Sequence, residues 1–456
     1  MPEPQQIDRI VCGRIVLPDT VIDGGAVAIA GDRVAAVGVA DTLIPNDTDV
    51  PVDVYGDAFV FPGAIDGQTH ACNVAGFPGI EACSRSAIAG GITCFVDMPY
   101  DEPEPVSNAG LVGEKAAVIE QVAYCDVALW GTVLPDADPG VVAEMADAGI
   151  VAIKLSSLET HPVRFPRIPA DGLGEVLTAA KPHGLPVGLH NENQEIIRAS
   201  LEAHRARGAT GPADHEPSRP LAAEILATRE FYELGLITGG HAHIVHLSTD
   251  DGYLMAADYR ARGANTTAEM CVHYLWFDND AVIRHGPYLK VNPPIRQGQR
   301  DNLWNAIADG LVTYISSDHG SWPHDSKQGK DMLSAPAGIP GMETLVPAFY
   351  TAATRRGGDP KLIADHLAEK PAKFFGLWPD KGSLTPGAEA DIMVIDPTPY
   401  TFDASAAQDG LCWSPFDGEQ FEGRVTATYL RGEPVFRNGE ILGAAGDGHY
   451  QARRAA

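Results

Sequence analysis

The chain has 456 residues, 45% of them hydrophobic and 21% charged, a balance that suits a soluble globular protein with one large and one small domain. Its formal net charge of −28 argues against nucleic acid or an anionic membrane as partner, and no apolar run approaches the roughly 18 residues of a spanning helix. The seven cysteines (Cys12, Cys72, Cys83, Cys94, Cys125, Cys271 and Cys412) are scattered with no Cys-x-x-Cys pair, and the start of the chain has neither a basic segment nor an apolar core. No disulfide framework, zinc ribbon or signal peptide is expected, and the composition predicts a reducing cytoplasm.

Residues 9–60 read as short strands broken by Gly-Asp and Gly-Gly turns, among them Ile10-Val-Cys-Gly-Arg-Ile-Val-Leu17 and Arg33-Val-Ala-Ala-Val37. The apolar run that follows ends in Phe61-Pro-Gly-Ala-Ile-Asp-Gly-Gln-Thr-His70. On a strand, Gln68 and His70 would point to the same side, towards one spot at the strand's end. From there strand and helix signals alternate. Eight strand candidates end near 68–70, Met98, Val133, Lys154, His190, His246, His273 and Asp318, with helix-like stretches at 108–122, 141–148, 221–234 and 302–308. Eight strand–helix repeats predict an α/β chain folded as a (β/α)8 TIM barrel, with active residues at the C-terminal strand ends. Beyond residue 385 short strands return, such as Ala390-Asp-Ile-Met-Val-Ile395 and Val425-Thr-Ala-Thr-Tyr-Leu430. The expected organisation is residues 1–60 and 385–456 forming a small β-sandwich from both chain ends, around a barrel over 61–384.

Singly, each candidate at a strand end has an ordinary structural reading: a core histidine, a snorkelling lysine at Lys154, a helix cap at Asp318. Their order along the chain carries more weight, because Gln68 and His70, Lys154, His190, His246 and Asp318 close successive strands of one barrel. Ligand-type residues gathered at a barrel mouth read as a metal site.

These stretches resemble the cyclic-amide branch of the amidohydrolase superfamily, which includes hydantoinases, dihydropyrimidinases, allantoinases and dihydroorotases. The resemblance runs nearly end to end: Pro62-Gly-Ala-Ile-Asp-Gly-Gln-Thr-His70, Ala89-Gly-Gly-Ile-Thr-Cys-Phe-Val-Asp-Met-Pro99, Val245-His-Leu-Ser248, Glu269-Met-Cys-Val-His-Tyr-Leu275, Lys290-Val-Asn-Pro-Pro-Ile-Arg296, Ser317-Asp-His319 and the stretch from Lys381 to Asp391. It implies a divalent metal centre, most often zinc, with manganese or cobalt as alternatives and one or two ions bound. Lys154 would take up CO2 as a bridging carbamate, His190 and His246 would hold one ion, and His70 and Asp318 the other. Asp318 would be the general base in hydrolysis of a cyclic amide by a metal-activated water.

Gln68 departs from the family, which nearly always has histidine there. It leaves four readings open: weak ligation, a mononuclear site, a harder ion, or lost catalysis. A working site whose His70-held ion is weak or absent fits best, since one ligand of six is changed. Cys72 stands where dihydroorotases carry a carboxylate-gripping arginine, and Glu159 where D-hydantoinases and dihydropyrimidinases place a tyrosine, so both count as substrate-side positions that point away from those activities. Asn292 and His319 are the other expected substrate contacts, with 338–342 shaping the rim, Glu269 buried and structural, and His273 either core or ligand. An allantoinase- or hydantoinase-like ring-opening enzyme results, acting as a homodimer or homotetramer on a small cyclic amide. The alternatives are a hydrolase of another cyclic imide, ureide or acyclic amide, and a metal-poor scaffold like the non-enzymatic dihydropyrimidinase relatives.

Overall fold

The computed structural model describes residues 6–44 and 49–454, so the first five residues read above for a leader lie outside it. The chain opens with β1 (Arg9–Val16), β2 (Val21–Ala30), β3 (Arg33–Val39) and β4 (Val52–Pro62). The barrel follows: β5 (Ala64–His70), β6 (Ile92–Asp97), β7 (Asp126–Gly131), β8 (Ala152–Ser156), β9 (Pro186–His190), β10 (His241–Ile244), a seventh stave split into β11 (Thr266–Ala268) and β12 (Met270–Cys271), and an eighth split into β13 (Ile315–Ser316) and β14 (His319–Gly320). Parallel pairing runs unbroken from β5 to β11. The ring closes where β12 pairs with β13 and β14 pairs with β5, His319 opposite Thr69 and Gly320 opposite His70.

The later strands, β15 (Ile392–Asp396), β16 (Tyr400–Thr401), β17 (Gln420–Phe421), β18 (Arg424–Leu430), β19 (Glu433–Arg437) and β20 (Glu440–Ile441), return to the chain's beginning. All but β16 and β17 join β1–β4 in one sheet of order β20-β19-β18-β15-β4-β1-β2-β3. Period-2 alternation assigns its two faces. Phe59, Phe61, Met393, Ile395 and Val425 join the main barrel core, while Val60, Ile392, Val394, Ala427 and Tyr429 form a separate core within the sheet. The barrel's own floor is apolar: Phe375, fully buried at the end of the helix Lys370–Phe375, stands against Trp130 and Tyr314.

Several strands stop short of the ends that the apolar runs suggest. His246 lies two residues past β10 with φ 44°, and Asp318 interrupts the eighth stave with φ 50°. Both sit in the left-handed region, where few residues with side chains go, so the ladder breaks there and the side chain turns inward. His273 is not on a strand: it lies in the short helix Val272–Trp276, where its carbonyl accepts from Phe277 N at 3.0 Å. The helix expected over 221–234 continues to Thr238 and stops at Gly239, whose φ of 69° makes it a left-handed cap.

Sheet and barrel are joined through a buried charge cluster. Lys381 Nζ lies 2.5 Å from Asp126 of β7, 2.5 Å from Glu389 and 2.7 Å from Asp391, and Arg431 adds 2.8 Å bonds to Asp126. Removing the central cation takes an ion partner from three carboxylates, of which Asp126 keeps Arg431. Lys381→Met should therefore cost about 3–5 kcal/mol in chemical denaturation, whereas an exposed control such as Lys330→Met should change stability by under about 0.5 kcal/mol.

Candidate active site

Gly67 lets the first stave pass close to the barrel floor, since a Cβ there would collide with the Tyr314 and Phe375 rings. Gln68 and His70 then rise from β5 beside Asp318. Asp318 Oδ1 accepts from Gln68 Nε2 at 2.8 Å and lies 3.3 Å from His70 Nε2. A clasp beneath them fixes this meeting: Ser317 donates to Asp66 through its backbone N–H at 3.0 Å and through its hydroxyl. Burial pushes the Asp66 carboxyl up to about 7, with the Ser317 bonds working against it. Burial acts on Asp318 in the same sense, but the His70 hydrogen bond and the charges of His70, His273 and Lys154 hold its carboxyl below the ordinary value.

Across the barrel mouth, His190 Nδ1 and His246 Nε2 face each other at 3.1 Å. Burial lowers the pKa of both rings, so each is neutral near pH 7. His190 turns its other nitrogen to Glu192 at 2.8 Å, and Arg219 donates to the same carboxylate oxygen. Burial alone would raise the Glu192 carboxyl, yet Arg219 and His190 bring it down to about 2. Lys154, 2% exposed, has no carboxylate within ion-pair distance among the described residues. Its amine lies 3.3 Å from the Leu155 carbonyl and 4.5 Å from the centre of the Phe165 ring. Burial lowers it to about 7 despite the pull of Asp318 and Glu269.

Two neutral imidazole nitrogens facing one point, next to an amine uncharged in much of the population, form a donor set that fits a divalent ion. Two further ring nitrogens, His70 Nδ1 and His246 Nδ1, are buried with no hydrogen-bond partner. The Glu192–His190 bond is the outer support such a ligand needs, because it fixes tautomer and ring angle.

All six residues expected around a metal line one cavity of about 570 Å³, together with Asn292 and Glu159. Asn292 Oδ1 is buried without a partner. Glu159 sits at the rim and takes Arg198 at 2.9 Å. The other arginines of this wall are also paired, Arg164 with Glu102 at 2.9 Å and Arg219 with Glu192, which leaves Arg205 as the lining arginine with no carboxylate partner among the described residues.

Two expected substrate contacts do not reach the cavity. Cys72 is fully buried behind β5, beside Asp97 and Asp101, where Lys115 already supplies the cation at 2.7 Å from each carboxylate. His319 has both nitrogens engaged, with Ser321 Oγ at 3.0 Å and Gly341 N–H at 3.1 Å, so it anchors the rim turn. Glu269 is buried against Tyr314 and Ser316, and burial pushes its carboxyl up to about 8. His273 is fully buried, and burial brings it down to about 4. Glu192, Arg219 and Phe165 belong to the site and have no counterpart among the expected residues. Glu192 had a signal, as it stands two positions after His190 at a strand end; Arg219 had none, since it arrives from a separate loop.

Residues 59–435 match the family described as the Amidohydrolase family. The allantoinase of Deinococcus radiodurans is 34% identical over 92% of this chain and 96% of its own length. The L-hydantoinase of Paenarthrobacter aurescens is 31% identical over 97% of each chain. Among solved structures, the L-hydantoinase (dihydropyrimidinase) from Arthrobacter aurescens superposes with a TM-score of 0.93 at 30% identity, over 98% of this chain and all of that one.

Glu192→Gln keeps the shape but removes the charge that seats His190. Its affinity for a divalent ion, followed by titration into chelated protein, should fall about 10–100-fold.

Proposed function

The chain belongs to the amidohydrolase family, and on that premise we propose that it opens a cyclic amide or ureide ring by metal-dependent hydrolysis of a C–N bond. The observation that carries this reading is the convergence of Lys154, His190, His246, His70 and Asp318 on a single cavity. Lys154, His190 and His246 would hold the ion, zinc in the first instance with manganese or cobalt as alternatives. When bound, such an ion lowers the pKa of water and polarises a carbonyl.

The chain's own residues do the rest. A buried amine near pKa 7 is neutral in part at physiological pH, so Lys154 can add to CO2, forming an N–C bond and releasing one proton. The resulting carbamate would place an anion beside His190 and His246. Asp318, held ionised, accepts a proton from the attacking water and passes it to the ring nitrogen as the C–N bond breaks, so an N–H appears and the carboxylic acid formed gives up the water's second proton to solvent. Phe165 and Tyr100, whose rings meet edge to face with centres 5.4 Å apart, shield this region from solvent.

Allantoin is the leading substrate, with 5-substituted hydantoins next, as the named relatives suggest. Free thiols at all seven cysteines fit a cytoplasmic enzyme, and we expect a homodimer or homotetramer. No helix among the described residues is long and apolar enough to cross a membrane.

The test is a screen of metal- and bicarbonate-loaded protein against allantoin, hydantoins, dihydropyrimidines and cyclic imides, reading product mass. Addition of water to one of these is expected; no product from any class would overturn the reading. Asp318→Asn should lower kcat about 10²–10⁴-fold while metal content stays within twofold. Because neutral Lys154 accumulates above about pH 7, reactivation of chelated protein by metal plus bicarbonate should rise from about pH 6 to pH 8. Lys154→Ala should abolish reactivation at both.

A further inference from the structure

Asp318 and Gln68 meet in a way that bears on the number of ions. We propose that Gln68 is a positioning residue that holds Asp318 through its amide N–H, and that the chain binds one divalent ion, at the Lys154–His190–His246 end. The proposal rests on reading the cavity as a metal centre with Asp318 as base.

A carboxylate only accepts hydrogen bonds, so at 2.8 Å from Asp318 Oδ1 the Gln68 side chain must present its NH2 group; its oxygen there would set lone pairs against lone pairs. His70 Nε2 lies 3.3 Å from the same oxygen. Oδ1 is thus served by an N–H donor of the chain itself with the His70 ring close by, and a cation beside it would meet the positive end of the Gln68 amide. The opposite end is not self-sufficient. Between His190 Nδ1 and His246 Nε2, 3.1 Å apart, only one N–H can lie whatever the tautomers, and Lys154 brings an amine with no carboxylate partner. An ion there replaces one neutral N–H···N contact and the Lys154–Leu155 contact with ligand bonds, whereas one at Oδ1 would displace the Gln68 N–H from a charged acceptor. With Oδ1 anchored, Asp318 Oδ2 carries no hydrogen bond from the described residues and is left to take the proton from water. Gln68 Oε1 and His70 Nδ1 are both buried with no partner, the two features that favour an ion at this end.

Counting metal decides between donor and ligand without needing a substrate. Wild type, Gln68→Leu, Gln68→Glu and Gln68→His would be loaded with zinc and bicarbonate, desalted, and analysed for zinc per chain. We expect about one ion in wild type, Leu and Glu, and about two in His, which restores an imidazole ligand. On the substrate found by the screen, kcat should fall about 10–100-fold in Leu and Glu with KM within about twofold, because Asp318 loses its anchor while binding is untouched. Two ions in wild type falling to one in Leu, or tighter zinc retention in Glu, would make Gln68 a ligand and overturn the proposal. So would an unchanged kcat in Leu. Turnover with two ions in wild type would sink this proposal alone, whereas no zinc in any protein would sink the metal-centre reading with it. Should Leu fail to fold, Glu, of the same shape and polar, carries the same comparison.

Discussion

The site depends on closure of the ring, on the pairing of the last barrel strand with the first. Gln68 and Asp318 are 250 positions apart, and they touch because β14 lies beside β5 with His319 opposite Thr69. Two-residue strands supply little ladder of their own, so buried polar clasps do the holding. Asp66 takes Ser317 across the seam, and Asp97 takes Thr69 Oγ1 at 3.0 Å and Ala71 N–H at 2.8 Å. Opening either clasp would cost a buried carboxylate part of its hydrogen bonding, leaving Asp66 with the Gln68 N–H and Asp97 with Lys115.

Burial is common to all the titratable groups of the mouth, and their charge states diverge according to partner. Lys154 and Glu269, without a counter-charge in contact, are driven towards neutrality, the amine to about 7 and the carboxyl to about 8. Glu192, equally buried, has Arg219 against it and falls to about 2. The barrel therefore stacks three layers: an apolar floor around Phe375, a neutral polar layer of Glu269, Tyr314 and His243, and a mouth where charge is permitted only in pairs or in readiness for a ligand.

Much of this was legible from local pattern. The two-residue spacing of Gln68 and His70 and the apolar runs before Lys154 and His190 predict strand ends, and these residues lie in or at the end of β5, β8 and β9. His246 and Asp318 reach the mouth by a different route, a left-handed residue beyond or within a strand, which no hydrophobic period announces. Cys72 and His319 show the converse. Adjacency in sequence to a site residue does not give adjacency in space: His319 follows Asp318 directly and points to the other side, while Cys72, two positions after His70, lies in the turn beyond β5, where the strand's alternation no longer holds.

By itself the sequence determined the architecture and the chemistry available to it. Eight alternating strand–helix units bury their apolar faces well as a closed parallel barrel, and the residue types at its strand ends set the chemistry on offer. Tertiary structure alone decided how those residues divide their work. It set Glu192 and Arg219 behind His190 and turned His319 into a rim anchor, and it put the Gln68 N–H and the His70 ring against one oxygen of Asp318. Periodicity is a property of neighbours in the chain, whereas charge state and hydrogen-bond partner are properties of neighbours in space.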